Sequence, residues 1–186
     1  PQRNSLKIPT LFDIFEKNKI SFASIDWPNY YINRKGKIFF DGADTTSLSD
    51  ESLSGFRLRN IGYIFQKFYL LESLSAVENV CLPALGKGAY KPQITKKALY
   101  LLALVGLRRR VNHKPRHLSE GEKQRVAIAR SLINEPKILL CDEPTASLDA
   151  KNREAVLELL LKLNAEKGVT IILVTHDDTQ LKYANR

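Results

Sequence analysis

The second half of the chain alternates between short apolar runs and stretches with helical spacing of apolar residues. Residues 138–141 and 169–174 are continuous apolar runs. The second is rich in β-branched side chains and is typical of a strand buried on both faces. Residues 120–133 and 152–164 have helical spacing. This order of strands and helices, with short links, predicts a parallel sheet with right-handed crossovers.

The preceding stretch, from Gly36 onward, predicts further elements. Residues 37–40 form a strand candidate that ends at the turn dipeptide Asp41-Gly42. Residues 61–65 form another, which ends before Gln66. Helices are predicted at residues 49–58, 75–80 and 92–104, the last with an apolar face of Leu99, Leu102, Ala103 and Val105 and with Gly106 as its stop.

Residues 1–35 differ from this pattern. They are rich in aromatic residues, and the first of the nine glycines in the chain is Gly36. No clear period runs across them, so we expect helix and irregular chain without a defined pattern. The chain begins with Pro1 and contains no methionine, which indicates a processed or partial chain.

Composition favours a soluble globular protein. The chain has 186 residues, of which 44% are hydrophobic and 26% charged. This length is enough for one domain with a substantial core, with room for a small subdomain. No apolar run reaches the roughly 18 residues that a membrane span needs, and the start has no signal-peptide pattern. Any role at a membrane would therefore go through a partner.

Charge and cysteine content narrow the function only slightly. The net charge is +9, which could serve nucleic acid, phosphate ligands or an anionic membrane surface. Basic residues are scattered except at positions 108–110, which we interpret as a solvated helix end rather than a binding site. Cys81 and Cys141 lie in apolar contexts without metal-ligand spacing, which indicates buried thiols in a reducing compartment.

Polar side chains follow the predicted strands where a ligand would bind. Asp142 and Glu143 come directly after residues 138–141, and His176 follows the run 169–174 after one residue. Because ligands bind beyond the carboxyl ends of parallel strands, these groups are expected at one edge. Asp142 suits Mg²⁺ and Glu143 suits activation of a water, while His176 could sense a terminal phosphate. The alternative is that the carboxylates only cap a turn before a proline.

Two further positions are candidates of the same kind. Residues 119–122 have the S-x-x-E spacing of a capping box, which starts a helix. A helix N-terminus with the Ser119 hydroxyl and the Gly121 amide is also a ready anion site. Gln66 ends a strand and could reach a metal or the attacking water, although a surface amide is the plainer interpretation.

Four stretches together resemble the nucleotide-binding domain of ABC transporters. In chain order they are YIFQKFYLL, similar to the Q-loop; LSEGEKQRVAIAR, similar to the signature motif; KILLCDEPTASLD, similar to Walker B with the catalytic Glu and the D-loop; and VTHD, similar to the switch-histidine loop. The segments SAVENVCLP and IGYIFQKFYLL are most similar to those of the lipoprotein-release, macrolide-export and cell-division branch of the family.

The resemblance implies an α/β fold: a P-loop-NTPase-like parallel sheet core with an inserted helical subdomain. It implies a domain over residues 36–186, with the subdomain at about 67–135, and an incomplete or aberrant N-terminal part. It further implies an ATPase with ATP and Mg²⁺ as its ligands.

The resemblance also implies roles for particular residues. Asp142 and Gln66 would hold the metal, Glu143 would activate water, and His176 would contact the γ-phosphate. The residues that would bind ATP held by an opposite subunit, or lie at the dimer interface, are Ser119, Gly121, Glu122 and Asp149.

The partners implied are a transmembrane permease subunit and a second nucleotide-binding domain, placed head to tail, with no nucleic acid. The location implied is cytoplasmic, peripheral on the inner face of the cell membrane. Chromosome-maintenance ATPases share the signature and Walker B, but long coiled coils split them, and residues 67–118 contain no heptads.

The match fails at the phosphate cradle. The pattern G-x-x-x-x-G-K-[ST] is absent, and no glycine precedes Gly36. Residues 1–35 occupy its place as an atypical segment, which a frameshift in an ordinary domain would explain. Glu120 also stands where the signature usually has glycine. The alternative to an ATPase is therefore a degenerate or frameshifted, non-catalytic domain that keeps its dimer and partner surfaces without binding ATP productively.

Overall fold

The computed structural model describes residues 30–32, 38–40, 43–45, 47–85 and 91–183. The chain divides into two units, residues 1–53 and residues 54–186, and each is described by itself. The predicted boundary at residue 35 stays a prediction, because residues 1–29 lie outside the described part.

The first unit contains a small antiparallel sheet. Strand β1 (Tyr30–Ile32) pairs with β2 (Ile38–Phe40), which pairs with β3 (Ala43–Asp44). Strand β2 was predicted, whereas the prediction of irregular chain was wrong for β1, whose aromatic and β-branched residues favour a strand. Phe40 lies opposite Ala43, the spacing of a two-residue hairpin, although the Asp41-Gly42 dipeptide itself lies outside the described residues.

The second unit is built on a parallel sheet, as predicted. Strand β4 (Ile61–Ile64) pairs with the central strand β5 (Ile138–Asp142), which pairs with β6 (Thr170–Val174). The register sets Ile64 beside Cys141. It also sets Asp142 beside Val174, so all three strands end at the same edge.

One face of this sheet packs against the core. The side chains on that face that join the core are Ile64, Leu139, Cys141, Ile171 and Leu173. Burial alternates regularly between the two faces only in β4. The prediction that residues 169–174 form a strand buried on both faces was wrong, because all five positions of β6 are half-buried. In the described sheet β6 has a neighbour on one side only, and an apolar run does not reveal which strands lie at an edge.

Five helices complete the described chain: α1 (Asp50–Asn60), α2 (Ala76–Leu85), α3 (Lys91–Leu104), α4 (Glu120–Ser131) and α5 (Ala150–Lys167). Helices α2, α3 and α4 pack against one another. Helix α4 also packs on β4, and α5 packs on α4 and on β6. All five helices were predicted, although α2 continues past residue 80.

The prediction of the apolar face of α3 was right for two of its four residues and wrong for the other two. Leu102 and Val105 are buried, but Leu99 is 41% exposed and Ala103 is exposed. The face that packs on α2 and α4 consists of Ile94, Ala98, Leu101, Leu102 and Val105. The helix ends before Gly106, which has a φ of 79° as a left-handed stop requires.

Both cysteines are buried and free, as predicted. Burial raises the pKa of the Cys141 thiol to about 12, so this group is an inert thiol at neutral pH. Across the described stretches, no helix is long and apolar enough to cross a membrane.

Candidate functional site

The carboxyl ends of the three parallel strands carry the predicted site residues. Asp142 is the last residue of β5 and is exposed. Gln66 lies two positions after the end of β4 and is also exposed, and His176 lies two positions after β6. The sequence prediction that these groups share one edge therefore agrees with the strand register.

Glu143 and His176 form a direct pair. Glu143 Oε1 and His176 Nδ1 lie 2.5 Å apart. The histidine side chain is 75% exposed and that of Glu143 is 27% exposed. A carboxylate at this distance can fix one tautomer of the ring, with Nδ1 protonated and Nε2 directed away from Glu143.

The pair rests on a tight turn, residues 143–148, which we call the Glu143 turn. The Glu143 amide donates to Val174 O at 2.9 Å, extending the β5–β6 ladder by one residue. The backbone then folds back, with the Ala146 amide on Glu143 O and the Leu148 amide on Thr145 O. Glu143 has a φ of 45°, in the left-handed region that non-glycine residues rarely adopt. The turn therefore orients the Glu143 carboxylate, and the backbone strain at this residue is the energetic cost of that orientation.

The residues present fit Mg²⁺ in a limited way. Within the described ranges, no cluster of three or more His, Cys, Asp or Glu side chains could hold a metal by itself. Mg²⁺ commonly takes one or two protein oxygens and completes its shell with waters and substrate phosphates. The exposed Asp142 carboxylate and Gln66 amide meet that modest requirement.

A second group of site residues lies at the start of α4. The Ser119 side chain accepts from the Glu122 amide, and Glu122 Oε2 accepts from the Ser119 amide at 2.9 Å, which is the predicted capping box. Glu122 Oε1 also accepts from Arg110 Nε at 3.1 Å. The interpretation of residues 108–110 as a merely solvated helix end was therefore wrong for Arg110, which neutralises a carboxylate of the signature.

These contacts change the acidity of Glu122. Burial raises the pKa of its carboxyl, but the Ser119 amide and the Arg110 guanidinium outweigh burial and hold the pKa below its usual range. Glu122 is consequently an ionised and paired side chain near neutral pH.

Gly121 and Asp149 meet through Asn152. A Cβ on Gly121 would lie 2.4 Å from Asn152 Oδ1, so the lack of a side chain there allows α4 and α5 to approach closely. Asp149 caps α5 by accepting from the Asn152 amide at 2.9 Å and from Asn152 Nδ2 at 2.6 Å. The structure thus brings Gly121, Asn152 and Asp149 together as a group next to the capping box.

The segment after Gln66 is held by two side chains that the sequence did not single out. Arg130 donates to Phe68 O and Tyr69 O at 2.7 and 2.5 Å. Asn79, which is fully buried, bonds the backbone of Leu71 through both its amide and its carbonyl. These bonds join the segment to α4 and α2.

Aromatic side chains on both sides of Gln66 in the sequence remain accessible. Tyr63 stacks on Phe65 at 5.8 Å, and Phe65 meets Tyr69 edge-on at 5.4 Å. The exposed fractions are 39% for Phe65, 65% for Tyr69 and 50% for Leu71. The strand end that carries Gln66 is therefore continuous with a partly apolar surface.

Comparison with known proteins identifies the family of this chain. Residues 28–146 match the family model described as ABC transporter, a range that includes Gln66, Ser119, Asp142 and Glu143. The chain belongs to the ABC transporter family. The predicted resemblance is therefore confirmed, and the matched range begins only at residue 28, within the segment that was expected to be atypical.

Two curated relatives of the ABC family illustrate the match. The uncharacterized ABC transporter ATP-binding protein MJ1508 of Methanocaldococcus jannaschii is 47% identical over 152 residues, covering 82% of this chain and 67% of the relative. The lipoprotein-releasing system ATP-binding protein LolD of Bacteroides fragilis is 42% identical over 151 residues, covering 81% of this chain and 70% of the relative. The second name agrees with the predicted branch.

A solved structure supports the fold. The dimeric ATP-binding cassette MJ0796, in a post-hydrolysis state bound to ADP and Pi, superimposes with a TM-score of 0.70 at 42% identity. The aligned part covers 81% of this chain and 67% of that one. The predicted fold class, an ABC-type α/β cassette with a parallel sheet core, is thereby confirmed.

Proposed function

We propose that this chain is an ATP-binding and ATP-hydrolysing subunit that powers an ABC-type membrane transporter. The observation that carries the proposal is the contact between Glu143 and His176 beside Asp142, at the carboxyl edge of β4, β5 and β6. A base, a histidine and a metal-binding carboxylate at one sheet edge suit hydrolysis of a phosphoanhydride by water.

The proposed roles follow from the position of each group. Glu143 accepts a proton from the attacking water, and its neighbour His176 orients that carboxylate in the resting state and turns its Nε2 towards the terminal phosphate of the substrate. Asp142 and Gln66 would hold Mg²⁺, which when bound neutralises charge on the phosphate oxygens.

The signature group suits a second copy of the subunit. Ser119, Gly121 and Glu122 lie at the N-terminus of α4, with Asp149 joined to them through Asn152. A helix N-terminus attracts phosphate through its free amides. We infer a head-to-tail dimer in which this group of one subunit meets the ATP of the other, and the dimeric state of the similar cassette MJ0796 supports this inference.

The permease would dock on the segment after Gln66. The exposed Tyr69 and Leu71 of this segment, together with Phe65 just before Gln66, form an apolar surface. Arg130 and Asn79 fix the backbone of the segment. This contact would place the subunit on the cytoplasmic face of a membrane without any span of its own. The inserted helical subdomain at about 67–135 would then contain the signature and the Tyr69 and Leu71 part of this surface.

A non-catalytic domain is the second candidate, and two observations favour it. No glycine precedes Gly36, so the sequence of residues 1–35 does not contain the glycine-rich pattern that cradles the β- and γ-phosphates in the family. Glu120 adds a carboxylate at the signature. A chain of this kind would keep its dimer and permease surfaces while binding ATP poorly.

Titration with Mg-ATP, followed by steady-state turnover, separates the two candidates. The first predicts micromolar affinity and a turnover that falls at least about 100-fold in Glu143→Gln, because a positioned base contributes about 10² or more. Glu158→Gln, an exposed glutamate on α5, is the matched control and should leave turnover unchanged. No measurable binding by the unaltered chain would reject the first candidate.

Sequencing the gene across codon 36 tests the origin of the first segment. An alternative frame that encodes a Gly-rich phosphate loop would establish a frameshift. An alternative frame without such a loop would reject that origin.

A further inference from the structure

Two buried glutamine side chains contact consecutive residues of the Glu143 turn. Gln124 Nε2 donates to Pro144 O at 2.6 Å, and Gln180 Nε2 donates to Thr145 Oγ1 at 3.0 Å. The two glutamines come from different elements: Gln124 from α4 and Gln180 from a short 3-10 helix, Asp178–Tyr183, that follows His176. We call this pair the amide clamp.

Both glutamines of the clamp are almost completely buried, and so is Thr145, which accepts the hydrogen bond from Gln180. Gln124 is 0% exposed, Gln180 is 4% exposed and Thr145 is 1% exposed. Gln180 Nε2 also lies 3.3 Å from Asp177 Oδ2, which in turn accepts from Arg153 Nη1 at 3.1 Å. The turn is therefore linked through buried or half-buried polar groups to α4, to α5 and to the residue next to His176.

Each of these two amides is only half paired with protein groups. Within the described chain, the Oε1 atoms of both Gln124 and Gln180 are buried without a hydrogen-bond partner. A buried acceptor without a partner carries a desolvation cost, and an apolar side chain of similar volume would avoid it. The two amides orient the turn, because each Nε2 donates a hydrogen bond to one defined acceptor on it.

We propose that Gln124 and Gln180 are positioning residues that fix the Glu143 turn and connect it to the signature helix and to the His176 segment. Neither side chain contacts the reacting groups. Gln180 fixes the turn from the side of His176, and Gln124 fixes it from the helix whose N-terminus carries Ser119. A displacement of α4 or of the His176 segment would therefore be transmitted to the Glu143 turn through a single hydrogen bond. The catalytic part of this inference rests on the proposed ATPase function.

Hydrogen exchange of the nucleotide-free protein tests the clamp without reference to ATP. In Gln124→Leu and Gln180→Leu, exchange of the Ala146 and Leu148 amides should accelerate about fivefold or more, since one net hydrogen bond is lost. The control is Gln93→Leu, an exposed glutamine on α3, which should leave both amides unchanged. Equal exchange in clamp and control variants would overturn the proposal.

Turnover tests the positioning role. We expect Gln180→Leu to lower kcat about tenfold or more while KM for ATP stays within about twofold, as loss of an interaction that matters only in the transition state predicts. Thr145→Val removes the acceptor and should have the same effect, whereas Thr145→Ser keeps the hydroxyl and should restore kcat. The double variant of Gln180→Leu and Thr145→Val should be no slower than either single one.

The two measurements distinguish the possible failures. Faster exchange of the turn amides in a chain that hydrolyses no ATP would support the clamp and reject the ATPase. Normal turnover in Gln180→Leu, in a chain that does hydrolyse ATP, would reject the positioning role.

Discussion

Replacement of Asn79 by alanine should loosen the segment after Gln66 selectively. Asn79 is completely buried on α2. Its Oδ1 accepts from the Leu71 amide at 2.8 Å, and its Nδ2 lies 3.0–3.2 Å from the carbonyls of Leu71, Leu74 and Ser75. One side chain therefore ties together the whole turn that precedes α2.

The expected loss of unfolding free energy can be estimated from the hydrogen bonds of the Asn79 side chain. Nδ2 has two hydrogens, so the side chain supplies about three hydrogen bonds, each with a net value of about 1 kcal/mol. We expect Asn79→Ala to lower the free energy of unfolding by about 3 kcal/mol, within a range of about 2–4. A domain with about 5–15 kcal/mol of stability remains folded after this change.

Urea denaturation followed by far-UV circular dichroism measures the change, and exchange of the Leu71 amide locates it. Asn134→Ala is a graded control, because Asn134 makes a single hydrogen bond, to Pro83 O at 3.2 Å, and should cost about 1 kcal/mol. Equal losses in the two variants, or an unchanged Leu71 amide in Asn79→Ala, would show that the side chain does not hold this turn.

Two further predictions concern the sheet and the signature. Gly62→Ala should destabilise by about 1–3 kcal/mol in the same urea assay, since its Cβ would lie 2.6 Å from Ser131 O and from Leu139 Cδ2. The control is Gly55→Ala on α1, whose Cβ would have the flexible Arg59 side chain as its nearest neighbour at 3.3 Å, and this variant should be neutral or stabilising. The same loss in both variants would contradict the packing argument. Because the pKa of Glu122 is lowered from 4.5, its stabilising effect is present above that pH and lost as pH falls through the folded-state pKa. Glu122→Gln should flatten the stability profile below about pH 4.5, and an unchanged slope would argue against the combined effect of the Ser119 and Arg110 contacts.

The sequence predicted the site edge because the rule behind it is topological. Parallel strands end at one edge, so Asp142 and His176 could be placed together from their positions after two apolar runs. The capping box at residues 119–122 was predicted for a similar reason, since it depends on local spacing alone. Both predictions agree with the structure.

The errors arose where burial depends on contacts distant in sequence. Leu99 and Leu101 are two apolar residues of one helix, and only the packing of α2 and α4 makes the second buried and the first 41% exposed. Arg110 could not be paired with Glu122 from spacing, because the contact crosses a loop. The clamp residues Gln124 and Gln180 carried no signal that distinguishes a buried glutamine from a solvated one.

The backbone of Glu143 has a consequence for how this chain tolerates substitution. A φ of 45° suits glycine or asparagine better than glutamate, so the chemistry and the conformation favour different residues at this position. Selection for stability alone would replace the carboxylate, and selection for turnover would keep it. A lineage that no longer needs hydrolysis should therefore lose Glu143 early.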